Sequence, residues 1–332
     1  MLNNLLPSKL GRWFWALLSL GLILIYDLLF TPHFFSMEVR DGHLFGSLVD
    51  ILNRGAPVML VALGMTLVIA TGGVDLSVGA TMAIIGSLAA QMVTKGHPSI
   101  VIVLLVCLGA ALLLGLWNGI LVAVFKIQPI VATLILMVSG RGIAQLITDG
   151  QIITFDDKAL SYIGSGYLFK IPFSITLVLI MLVLTGTLTR RTAMALFIES
   201  VGDNPVASRY AGIDVRTVQL FVYVFCGFCA GVAGLVATTN MRAADANNTG
   251  LNLELDAILA VVIGGTLLTG GRFQLVGSLL GALVIQALTT TILTKGVPIE
   301  YTLVVKALTV LAVCLLQSEK FRGKFRFKAR TA

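Results

Sequence analysis

Charge is what this sequence has least of. Only 12% of its 332 residues are Asp, Glu, Lys or Arg, against about a quarter in ordinary globular domains, while 57% are hydrophobic. A water-soluble fold, a disordered chain and a soluble nucleic-acid module are excluded together. Histidine is nearly absent: His33, His43 and His97 fall in loops near Pro, Gly or Phe, and nothing there resembles a metal-ligand set. No carboxylate pair beside a large loop suggests glycosyl chemistry. No Gly-x4-Gly-Lys-Ser/Thr phosphate loop occurs either, because Gly323-Lys324 runs into Phe325. The chain is therefore not expected to be an enzyme, and any energy taken from nucleotide has to come from a partner. All four cysteines, Cys107, Cys226, Cys229 and Cys314, lie in apolar segments, which argues against a disulfide framework. Cys226-x-x-Cys229 could be read as a redox or metal pair. The interleaved Gly227, Gly231 and Gly234 favour close helix packing instead.

What the sequence does have is apolar runs. A membrane span needs roughly 20 apolar residues, and candidate runs lie at 13–30, 56–70, 76–94, 100–123, 129–147, 171–188, 217–239, 256–268, 272–293 and 301–317. The fold expected is all-α: a polytopic transmembrane bundle of about ten spans in a bilayer, forming one transmembrane domain over 1–332. Runs 56–70 and 256–268 are too short to cross unaided and predict broken or tilted helices. Lys9 and Arg12 precede the first run, and no small-residue cleavage site follows it, so an uncleaved first span is expected. Lys and Arg concentrate in the loops and ends on the side of the two termini, which sets both termini in the cytoplasm. The net charge of +7 is then topological and calls for no nucleic acid. The basic tail 318–332 is expected to face lipid headgroups.

One internal echo stands out. Thr71-Gly72-Gly73 followed by Val78-Gly79 recurs as Thr269-Gly270-Gly271 followed by Val276-Gly277, each time at a short turn between apolar runs. A duplication and a coincidence of common residues are both open, and either way glycine pairs permit sharp turns and close approach.

The segment 199–213, ESVGDNPVASRYAGI, lies in the cytoplasmic loop 189–216. Asn204 is a favoured N-cap, Pro205 suits the first helical position and Gly212 can close the helix left-handed. A short helix at 205–211 is predicted. It is too short to be stable alone and needs a surface for Val206, Ala207, Tyr210 and Ala211: its own spans or another chain.

This segment resembles the coupling loop of permease subunits in bacterial ATP-binding-cassette importers for monosaccharides. Gly202, Asn204, Ala207, Ser208, Arg209, Gly212 and Ile213 match its pattern. Gly64 to Gly79, GMTLVIATGGVDLSVG, and Glu254 to Gly265, ELDAILAVVIGG, are similar to two further family motifs, so the likeness covers about 50 to 285. Within that family, Gly115–Ala123, Ala132–Gly142 and Arg242–Asn248 look most like a galactofuranose importer's permease, with ribose or galactose as other cargoes. The resemblance implies a second permease subunit, different from this one in the galactofuranose type, and a periplasmic sugar-binding protein. It also implies a cytoplasmic ATP-binding subunit with two fused nucleotide-binding halves, which would hold the ATP and Mg; no cofactor is expected in this chain. Gly202, Asn204, Pro205, Ala207, Ser208, Arg209 and Gly212 would couple to that ATPase.

Other residues carry two readings each. Asp75 could cap a helix starting at Leu76 or face a translocation path. Asn118, Thr133, Arg141 and Gln145 could line that path or make interhelical hydrogen bonds. Arg242, Asp245, Asn247 and Asn248, with Glu254 and Asp256, could receive the binding protein or form a solvated loop. An ion-coupled secondary transporter would want more buried acids than Asp27 and Asp75.

Overall fold

The computed structural model describes residues 14–32, 34–40, 43–96 and 99–317; Lys9, Arg12, His33, His97 and the tail 318–332 lie outside the described residues. Long apolar runs in hydrocarbon must satisfy their backbone internally, and a helix does so. The helices are α1 Phe14–Phe30, α2 Ser47–Ala70, α3 Val78–Thr94, α4 Ile100–Ala123, α5 Pro129–Ile147, α6 Lys158–Ser165, α7 Phe173–Arg190, α8 Met194–Asp203, α9 Pro205–Tyr210, α10 Val215–Met241, α11 Leu253–Ile263, α12 Leu275–Thr294 and α13 Ile299–Gln317. By length and composition α2, α4, α5, α7, α10 and α12 can cross a membrane; α1 and α3 are shorter apolar helices. Three short antiparallel pairs brace the loops: β1 Glu38–Arg40 with β2 His43–Phe45, β3 Ile153–Thr154 with β6 Ala243–Ala244, and β4 Tyr167–Leu168 with β5 Ile171–Pro172.

α10 is the hub, packed on α4, α2 and α3, and its small residues make that possible. A Cβ on Gly227 would sit 2.7 Å from the Ala111 carbonyl oxygen, and one on Gly234 2.7 Å from that of Met82. Gly64 of α2 leaves equally little room, since its Cβ would lie 2.8 Å from Cys226 Cα. Cys226 and Cys229 are free and buried there, as close packing requires.

The two short runs differ in outcome. Run 56–70 is not short in the structure: α2 starts at Ser47 and has 24 residues, so Asp50, Asn53 and Arg54 belong to the helix. Polar residues hid its first turns from a hydropathy reading. Run 256–268 is a true half-span. α11 has 11 residues, about 16 Å at 1.5 Å per residue, roughly half the hydrocarbon thickness. The turn-rich segment 242–252 precedes it and packs into the bundle: Arg141 on α5 donates to the carbonyls of Ala246 at 2.9 Å and Thr249 at 2.7 Å. A Cβ on Gly79 of α3 would lie 2.3 Å from the Gly250 carbonyl oxygen. Irregular backbone at such depth is tolerated only where protein surrounds it.

Candidate coupling helix and polar nodes

α9 is built by local signals. The Asn204 Oδ1 accepts from the backbone N–H of Val206 and of Ala207, each at 3.0 Å, and Pro205 occupies the first helical position. At the other end Gly212 is left-handed, φ +85°, and the Ile213 N–H reaches back to the Ser208 carbonyl at 3.0 Å. The helix closes at Tyr210, one residue before the predicted 211. Ser208 is buried, but Val206 is 61% and Tyr210 90% exposed, and Ala207, Arg209 and Ala211 are exposed as well. Val206 and Tyr210 are four apart and share one helical face. The apolar side chains Val206 and Tyr210 of α9 thus find no cover among the described residues.

Beneath α9, α8 is wedged into the bundle at Gly202. A Cβ at Gly202 would fall 1.8 Å from the Ala70 carbonyl oxygen and 2.5 Å from the Gly271 nitrogen. Those two atoms are themselves bonded, Gly271 N–H donating to the Ala70 oxygen at 2.8 Å. Gly270, at φ +89°, comes as close to Gly202 and Gly72: its Cβ would lie 2.8 Å from the Gly202 oxygen and 3.0 Å from the Gly72 nitrogen. The two Thr-Gly-Gly turns paired in the sequence therefore cross in space, with Gly202 at the crossing. One turn above, the Thr66 hydroxyl donates to the Ser278 hydroxyl at 2.7 Å, joining α2 to α12.

Asp75 follows the first of these turns and is 1% exposed. Its Oδ1 accepts from the Ser77 N–H at 3.0 Å, the Ser77 hydroxyl at 2.7 Å and Asn118 Nδ2 at 3.3 Å. Because α3 begins at Val78, not at Leu76, Asp75 caps the turn leading into the helix and not the helix itself. Asn118 Nδ2 also donates to the Ser77 hydroxyl at 2.7 Å, while its Oδ1 is buried with no partner among the described residues. Thr133 and Tyr223 both direct hydroxyls to the Val74 carbonyl, at 3.4 and 3.5 Å. Asp75, Asn118 and Thr133 thus form one node.

Arg141 and Gln145 belong to a second node, farther along α5. Gln145 Nε2 donates to Asn247 Oδ1 at 2.6 Å, and Arg141 holds the entering segment 242–252. In that segment Asp245 accepts from the N–H groups of Asn247 and Asn248, at 2.9 and 3.1 Å, and from Asn248 Nδ2 at 2.7 Å. The Asn248 side chain, more than any other group, holds its carboxyl below the usual range. Arg242 is exposed and left-handed, φ 50°, and meets Asp156 at 3.5 Å. Glu254 and Asp256, grouped with this loop by sequence, are in α11: Glu254 is buried and Asp256 pairs with Lys306 of α13 at 2.8 Å. Sequence reasoning missed that pair. The signal was Lys306 itself, an isolated cation in an apolar run that requires a partner.

A bundle with a discontinuous half-span, two polar nodes and an apolar helix left uncovered at one end has the makings of a membrane permease worked from outside its own chain. Residues 47–314 match the family described as branched-chain amino acid transport system / permease component, and the chain belongs to that family. It is 54% identical over 318 residues, covering 95% of this chain and 93% of the relative, to the galactofuranose transporter permease protein of Escherichia coli K12. It is 39% identical to the fructose import permease protein of Bifidobacterium longum, over 97% of this chain and 91% of that one. A third relative is the ribose import permease protein of Haemophilus influenzae, at 34% identity over 95% and 97% of the two chains. No solved structure matches it. The chain is a permease component of the inner membrane and not an enzyme, and such components work with ATP-binding and substrate-binding partners.

Proposed function

We propose that this chain is a permease subunit of an ATP-binding-cassette importer that carries a monosaccharide, with galactofuranose the favoured cargo and ribose or galactose the alternatives. The observation that carries the mechanism is α9. Its apolar residues Val206 and Tyr210 are uncovered, and its support, α8, touches both crossed glycine turns through Gly202. An ATP-binding subunit gripping α9 would move α8, and Gly202 has no free space in which to absorb that movement. Gly202, Asn204, Pro205, Ala207, Ser208, Arg209 and Gly212 are the coupling residues in this reading.

The sugar would pass the node of Asp75, Asn118 and Thr133 and the node of Arg141 and Gln145. Arg242, Asp245, Asn247 and Asn248, exposed or half-buried at the mouth of the entering segment, would receive the periplasmic binding protein. In this reading the chain makes about ten crossings in one domain over 1–332, α11 and the segment before it together making one, with both termini and the loop 189–216 cytoplasmic. The partners are a cytoplasmic ATP-binding subunit with two fused nucleotide-binding halves, which holds ATP and Mg, and a second, different permease chain. This chain needs no cofactor of its own. Two carboxylates on the apolar helices are already engaged, Asp27 by Thr31 and Thr291 and Asp256 by Lys306.

The test is uptake of radiolabelled sugar into proteoliposomes holding the complete importer. Accumulation should require ATP on the α9 side and binding protein on the other. Accumulation driven by a proton or sodium gradient without the ATP-binding subunit would refute the proposal.

A further inference from the structure

Apart from the two nodes, polar side chains from three helices converge on a separate groove of about 590 Å³, within the 300–1,000 Å³ typical of small-molecule sites. Its walls are the first turns of α2, the last turn of α10 and the last turns of α12, and they include Asp50, Arg54, Asn240, Gln286, Thr290 and Thr294. α10 begins at Val215, just after α9, and ends at Met241 in the groove wall. The groove therefore opens at the end of the bundle opposite α9.

Four features make this more than a gap between helices. Asp50 and Arg54 lie one turn apart on α2, and the described structure gives neither an ion-pair partner. Pro57 also lines the groove and lacks an N–H, so the Asn53 carbonyl has no helical donor. Gly55 lets Gln286 in, since a Cβ there would lie 3.2 Å from Gln286 Cγ. Gln286 Nε2 in turn lies 3.4 Å from the Thr290 hydroxyl. Beyond Pro57, α2 is buried from Val58 to Ala70, so the groove is closed toward α9. Polar and charged residues near hydrocarbon are expensive and mark functional sites by default. The lining is mixed: Pro57, Ala237, Met241 and Leu293 give apolar contact, and the polar side chains named above give donors and acceptors. A sugar matches both, because its C–H faces are apolar and each hydroxyl both donates and accepts.

We propose that the groove between α2, α10 and α12 is an entry subsite for a free monosaccharide, held by Asp50, Arg54, Gln286 and Thr290 on the side from which the sugar arrives. The inference rests on the sugar-import reading for the direction of travel, and deepens it by placing a waiting sugar inside this chain.

The test labels Thr290→Cys in the complete reconstituted importer with a membrane-impermeant maleimide, without binding protein. D-galactose, D-fructose and D-ribose are added separately at millimolar concentration, with glycerol as control. At least threefold slower labelling with one sugar is the expected result. Equal rates with every sugar and glycerol would overturn the proposal, as would slowing by added anionic phospholipid alone. Arg54→Ala should lower ATP-driven uptake at least fivefold while binding-protein-stimulated ATP hydrolysis persists, with Arg54→Lys recovering part of it; full uptake in Arg54→Ala also counts against the subsite. Wild-type uptake separates the two readings. Normal uptake with no protection defeats the subsite alone, whereas protection without ATP-driven uptake defeats the import reading and leaves a sugar site.

Discussion

One added methyl group at Gly202 would set a carbon 1.8 Å from the Ala70 carbonyl oxygen, less than any real contact allows. The Ala70 oxygen and the Gly271 nitrogen, which that carbon would also meet at 2.5 Å, both belong to backbone, so relief requires α8 to lift away from the crossed turns. Gly202→Ala should therefore cut ATP-driven uptake at least tenfold while the ATP-binding subunit still co-purifies, which uptake assays and pull-down measure together. Asp75 makes a second residue-level case. Removing its carboxylate in Asp75→Ala orphans the Ser77 N–H and hydroxyl donors in a buried site, at about 1–3 kcal/mol per unsatisfied group, while Asn118 keeps its bond to the Ser77 hydroxyl. Asp75→Asn keeps an acceptor. Thermal unfolding in detergent should rank wild type first, Asn second and Ala last. Asn204 and Gly212 were legible in the sequence because a cap and a left-handed stop act on their own neighbours. Gly202 was legible only as a motif letter, since Ala70 and Gly271, which give it meaning, are remote in sequence.

α9 has only six residues, and an isolated helix of that length does not persist in water. Its cap therefore carries unusual weight. Asn204→Ala should cost about 0.5–2 kcal/mol of local helix stability and uncouple ATP hydrolysis from uptake, while Asn204→Asp, which also caps, should retain coupling; the ratio of sugar moved to ATP hydrolysed reads this. The half-span α11 depends on a different device, the Lys306–Asp256 pair. The pair is half-buried, its side chains 13% and 22% exposed, so removing one partner should cost less than the about 3–5 kcal/mol of a fully buried pair, whereas replacing both by apolar residues is often near neutral. Lys306→Ala and Asp256→Ala should each lower the unfolding temperature more than the double variant Lys306→Met with Asp256→Leu. Runs 100–123 and 129–147 coincide with α4 and α5 because apolar residues reach both ends of each helix. α2 was misread where its first turns carry Asp50, Asn53 and Arg54. α11 was read as short and is short, but the backbone segment that completes it has no hydropathy signature.

The bundle as a whole turns on a crossing that no single element contains. The second glycine turn returns beside the first, and the loop that ends in α9 passes under both. The sequence echo hinted at two similar turns; that they touch, and that Gly202 lies between them, belongs to the packing of α2, α8 and α12. The account predicts that an outside motor acts on the transport path through this crossing and through nothing else in the chain. The most direct measurement is cross-linking from Ala207→Cys, on exposed α9, in the reconstituted importer during turnover. The expected result is capture of the ATP-binding subunit, with sugar uptake lost on cross-linking and restored on reduction. If position 207 never captures that subunit, and the permease alone accumulates sugar without ATP, the account is contradicted.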